Sequence, residues 1–131
     1  MAGLIPTRVH GILDYLLGLL LIASPWIFGF DDEGTAKWVP IVLGAGVLLY
    51  SLLTDYELGA IRAIPMPVHL VLDFAGGVLL AASPWIFGFS DEVWAPHMVL
   101  GLVEIGTALL TERRPERDDV TTPATTTRRS I

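Results

Sequence analysis

His10 and Asp14 stand four residues apart, and His69 and Asp73 repeat the pair 59 positions further on. Residues four apart share one face of a helix, so each pair presents an imidazole beside a carboxylate. Gly18 and Gly77 continue the same stripe, and Pro25 and Pro84 fall close to it. Three kinds of chemistry suit such pairs. They can relay protons or line an ion path. They can bind a metal, since two histidines and two carboxylates make a plausible ligand set. They can also act as clamps that fix helix register. The aspartate then accepts a hydrogen bond from its own histidine, from Arg8, or from the related span across a pseudo-axis. No HExxH or comparable motif accompanies the pairs, so the sequence assigns no metal, no cofactor and no catalytic residue. Glu104 adds a third carboxyl, about 15 Å along its own apolar run. Its counterpart in the other repeat falls near Val47. It reads either as a functional intramembrane acid or as a neutral glutamic acid bonded to a backbone carbonyl or a Ser/Thr hydroxyl. His97, beside Pro96, reads as an interfacial residue.

These residues sit in four apolar runs, about 9–30, 38–53, 68–89 and 94–110. The chain of 131 residues is 53% hydrophobic and only 17% charged, against roughly 25% charged in ordinary soluble domains. The runs are apolar nearly all round, which predicts membrane spans rather than helices with one wet face. An ionised aspartate in mid-span costs about 2.5–3.5 kcal/mol on insertion scales. Something must offset that cost in both repeats. The net charge of −6 is spread over loops and tail and gives no basic patch for nucleic acid. The absence of cysteine excludes disulfides and thiolate metal sites.

The first and third runs are near copies. Ala23 to Phe30 recurs residue for residue as Ala82 to Phe89. A repeat of this kind fixes the architecture, and the return of the first run as the third argues against a cleaved signal peptide. Residues 1–60 form one unit of two spans and 61–111 a second, followed by a charged, threonine-rich tail over 112–131 that is expected to be disordered. Proline removes a backbone donor, so at Ser24-Pro25 the first span either kinks and continues or stops, and the stop is the preferred reading. That leaves His10 to Ala23 as roughly 21 Å of helix, with the following aromatics lying in the interface. The connection from Thr54 to Met66 is either a short interfacial helix or a plain loop. Seven of the eight Lys and Arg residues fall on the side of the termini and the middle connection, and only Lys37 falls opposite. Both termini are therefore expected in the cytoplasm, with the acidic turns and all four tryptophans facing out.

Ser24-Pro25-Trp26 and Ser83-Pro84-Trp85, each at the outer end of the first span of a two-span unit, resemble the SPW repeat family of small prokaryotic integral membrane proteins. The resemblance covers residues 6 to 111. It implies two-helix units, here an all-α membrane bundle of four helices in two tandem hairpins, and it implies no established activity. The motif itself reads as structural: proline fixes a break, serine bonds freed carbonyls, and tryptophan anchors at the headgroups. Three function classes follow, in this order. The first is a structural or interaction protein of the plasma membrane, with the lipid bilayer and further copies of itself, as a homo-oligomer, for partners and the His-Asp pairs as internal clamps. The second is a small proton or ion transporter using the His-Asp pairs and Glu104. The third is an intramembrane metal enzyme.

Overall fold

The computed structural model describes residues 3–115. Among them are four helices: α1 (Thr7–Ile27), α2 (Gly34–Leu52), α3 (Met66–Ile86) and α4 (Ala95–Leu110). The only extended pairing among the described residues is two isolated bridges, Ile5 with Thr111 and Thr54 with Ile64. The protein is all-α. Of the tail expected from residue 112 onward, residues 116–131 lie outside the described residues.

The helices pack chiefly as α1 on α2 and α3 on α4, with α2 on α3 joining the two hairpins. Glycine sets the closeness of each hairpin. A Cβ on Gly44 would lie 2.6 Å from the Gly18 carbonyl oxygen, and one on Gly101 would lie 2.6 Å from that of Gly77. The backbones touch where no side chain intervenes, as in close membrane helix pairs.

Helix α1 does not stop at Ser24-Pro25, contrary to the sequence expectation. It continues to Ile27, and α3 likewise continues through Pro84 to Ile86. Pro25 cannot donate to the carbonyl of Leu21, four residues back. The hydroxyl of Ser24 donates to that carbonyl instead, at 2.8 Å, and Ser83 does the same for Leu80 at 2.7 Å. One lost bond is therefore compensated locally and the helix survives it. The end comes a turn later. The Phe30 amide reaches back to the Pro25 carbonyl at 2.8 Å, and Phe89 to Pro84 at 2.8 Å. Gly29 and Gly88 stand between at φ of 72° and 74°, the left-handed glycine of a Schellman closure. The repeated octapeptide is thus one complete helix ending.

At 21 residues, α1 and α3 are each about 31 Å long, enough to cross the hydrocarbon core of about 30 Å. Three helices are long and apolar enough to span a membrane; α4, with 16 residues, is apolar but shorter. Trp94 and Pro96 delay its start relative to α2, whose first turn takes in Thr35 to Lys37 from the expected acidic turn. The middle connection is a loop rather than a helix. It is tied by Ala60 and Ile61 amides to the Leu52 carbonyl and by the Asp55 amide to Ile64.

The distribution of side chains is inverted relative to a soluble protein. Val42, Val71 and Leu109 are 64%, 65% and 68% exposed, whereas His10, His69, Asp73, Ser24, Ser51, Thr54 and Ser83 are fully enclosed. So large an apolar exterior around a polar interior suits lipid, not water, as its surroundings. The protein is a membrane protein.

Candidate functional site

The polar interior is built around the two His-Asp pairs, which α1 and α3 bring together. Each histidine sits in the first turn of its helix, next to its partner's ring, with ring centroids 5.4 Å apart. The pairs are exchanged between repeats. His10 Nε2 lies 2.8 Å from Asp73 Oδ2 and 3.1 Å from its own neighbour Asp14 Oδ2. His69 Nε2 lies 2.7 Å from Asp14 Oδ2 and 3.1 Å from Asp73 Oδ2. Nitrogen and oxygen alternate around a closed ring of four atoms, all enclosed by the bundle. Of the three partners open to the aspartates in the sequence, the related span is the nearest. Arg8 points outward and is exposed.

A second set of contacts fixes the imidazoles. His69 Nδ1 lies 2.7 Å from Thr54 Oγ1, and His10 Nδ1 lies 2.7 Å from Thr111 Oγ1. Each threonine hydroxyl also donates to the carbonyl four residues back, Thr54 to Tyr50 at 2.6 Å and Thr111 to Thr107 at 2.5 Å. A hydroxyl has one proton to give. Both threonines spend it on the backbone, so each accepts from histidine, and each Nδ1 bears a hydrogen. The Nε2 atoms then face the carboxylates. A bare nitrogen lone pair repels a carboxylate, so a contact of 2.7–2.8 Å requires a positive centre between the two atoms, here a proton. Thr54 and Thr111 are related by the repeat, 57 positions apart. Sequence reasoning missed them, although that spacing was a readable signal.

The ring is not symmetric in its outer contacts. The Tyr50 hydroxyl donates to Asp73 Oδ1. The position related to Tyr50 is Thr107, which is too short to do the same for Asp14. Asp14 has Ser51 at 3.4 Å instead, and it lines a cavity of about 200 Å³ with Leu13, Leu17, Val103 and Thr107. Glu104 projects from the face of α4 that carries Thr111, two turns deeper. It is 2% exposed, and neither carboxyl oxygen has a hydrogen-bond partner among the described residues. Gly76 of α3 lies beside it; a Cβ there would sit 3.4 Å from Glu104 Oε1, an ordinary contact. The related pair in the first repeat is Leu17 and Val47, large and small in the opposite order. Glu104 bonds neither a Ser/Thr hydroxyl nor a carbonyl.

His97, read from sequence as a residue of the outer interface, stands at the tryptophan end in the first turn of α4. It is 1% exposed, held between Phe30 and Phe89 with ring centroids at 5.0 and 4.9 Å. Its Nε2 donates to the Ala36 carbonyl at 2.8 Å. That carbonyl is the one left free by Pro40, four residues on. His97 therefore ties α4 to α2 at the tryptophan end, as the ring ties α1 to α3 at the other. Tyr56, in the connecting loop, is buried against Met66 and Leu70, and burial pushes its phenol above the ordinary range.

Ser24, Pro25 and Trp26, with Ser83, Pro84 and Trp85, lie away from the ring, at the opposite ends of α1 and α3. The four tryptophans gather at this end, each about half exposed, with Trp85 and Trp94 6.4 Å apart and Lys37 over Trp26 and Trp38. Neither the curated proteins nor the solved structures contain a match to the chain. A family model described as the SPW repeat domain matches residues 8–111, the stretch that holds the ring and all of the four helices but Thr7, the first residue of α1. The chain belongs to the SPW repeat family.

Proposed function

We propose that this is a structural or interaction protein of the plasma membrane, in which the His-Asp ring locks two tandem repeats, 1–60 and 61–111, into one bundle. The observation that carries this reading is the exchange of partners. Each histidine is nearer to the other repeat's aspartate than to its own. A closed set of charge-assisted bonds in a low-dielectric interior offsets the cost of two membrane carboxylates and fixes the register of α1 against α3. The apolar exterior is then free to meet lipid or further copies of the chain, and a homo-oligomer fits this role. The termini and the middle loop lie in the cytoplasm on this reading, following the excess of arginine there.

The test is thermal unfolding and assembly size in detergent for Asp14→Asn with Asp73→Asn. A lock predicts a clear loss of stability or of assembly. Unchanged behaviour would remove the lock.

A second reading, a small proton or ion transporter, is favoured by one specific observation. Glu104 is unpartnered beside the ring, and a cavity reaches Asp14 from the α1–α4 side. It predicts proton flux in proteoliposomes that Glu104→Gln abolishes; liposomes no leakier than empty ones would dismiss it.

A further inference from the structure

We propose that the His10–Asp14–His69–Asp73 ring is a binding site for one divalent first-row transition metal ion, with Zn²⁺, Ni²⁺ and Cu²⁺ as the ions it fits. The inference goes beyond the lock, which needs only protons at the ring.

Donor geometry is the first argument. The four candidate ligand atoms alternate nitrogen and oxygen with edges of 2.7, 3.1, 2.8 and 3.1 Å, and all lie within 4.8 Å of one another. Bonds of about 2.0–2.2 Å place neighbouring donors about 3 Å apart at the right angles of a square-planar copper or nickel site, and about 3.4 Å apart at tetrahedral zinc. The ring has the first spacing, and zinc needs its edges to open by a few tenths of an ångström. Two imidazoles and two carboxylates suit zinc, nickel and copper rather than magnesium or calcium, which prefer oxygen alone.

The second argument is the tautomer. A metal-bound histidine offers one bare nitrogen and anchors the other through its N–H. Thr54 and Thr111 impose that arrangement on both rings from outside, by leaving their own protons on backbone carbonyls. Both Nε2 lone pairs are thereby turned to the centre.

Charge is the third. Two neutral imidazoles and two carboxylates need two positive charges to be neutral in lipid. Two shared protons supply them, and so does one M²⁺ ion, with no change in net charge. Glu104 adds an enclosed carboxyl without a partner among the described residues, two turns from Thr111 on the same helix face.

The experiment uses full-length protein in detergent with any affinity tag removed. Metal content after exposure to Zn²⁺ and removal of excess should reach one ion per chain. Zn²⁺ should raise the melting temperature, EDTA should reverse the rise, and Mg²⁺ should have no effect. Cu²⁺ should give an electron paramagnetic resonance spectrum split by two imidazole nitrogens. Thr54→Val with Thr111→Val leaves all four donors in place and should weaken Zn²⁺ binding by about 10–100-fold. Wild-type protein that is folded but takes up no stoichiometric Zn²⁺, Ni²⁺ or Cu²⁺ would overturn the proposal and leave the lock standing. So would binding that survives His10→Ala with His69→Ala.

Discussion

Glu104 is the residue whose environment is least satisfied. A buried carboxyl without a partner costs stability that a well-fitting apolar side chain would not. Glu104→Leu should therefore raise the melting temperature, by the equivalent of about 1 kcal/mol. A fall instead would show that the carboxyl has a partner beyond the described residues. Position 104 was legible in the sequence as an exception to the repeat, because its counterpart is apolar. Its lack of a partner was not. That depends on packing: among the described residues no hydroxyl or amide reaches either of its oxygens. The partner exchange in the ring was equally hidden. A spacing of four residues guarantees that His10 and Asp14 are neighbours on α1, whereas the distance to Asp73 depends on how closely α1 approaches α3.

At the scale of the helix, the repeated octapeptide shows why reading proline as a stop failed. Proline removes one bond, and Ser24 or Ser83 restores a partner to the carbonyl it frees. The stop is Gly29 or Gly88, which alone in each segment needs a left-handed conformation. Nothing lies within 4 Å of a Cβ at Gly29, so Gly29→Ala is a purely conformational test. It should cost about 1 kcal/mol, measurable by thermal unfolding. Packing glycines behave differently. Gly44→Ala drives a Cβ to 2.6 Å from the Gly18 carbonyl and should separate α1 from α2, at a cost of about 1–3 kcal/mol. Gly46→Ala, two residues on but facing open space, should cost nothing measurable and gain slightly in helix propensity. Gly44-Ala45-Gly46 offers two candidate close-approach glycines in sequence, and only the packing tells them apart. Four helices, their order and their apolar character were readable from composition and repetition. The ends of α1 and α3 were not, because a single hydroxyl carries each helix past its proline and a single glycine ends it.

The whole molecule is held at both ends by polar ties between repeats: the ring near the termini, and His97 on Ala36 at the tryptophan end. Its orientation is open to direct test, since the chain has no cysteine of its own. With the termini in the cytoplasm, Asp32→Cys and Asp91→Cys should react with an impermeant maleimide added to intact cells. Arg62→Cys should react only after lysis; the reverse pattern would invert the topology. The central claim is that the ring joins the two repeats rather than stabilising each alone. The most direct measurement is a pair of double-mutant cycles on unfolding in detergent, one for His10→Gln with Asp73→Asn and one for His10→Gln with Asp14→Asn. The account predicts a coupling of about 1–2 kcal/mol across the repeats and a smaller one within the first repeat. A larger coupling for His10 with Asp14 than with Asp73 would contradict it.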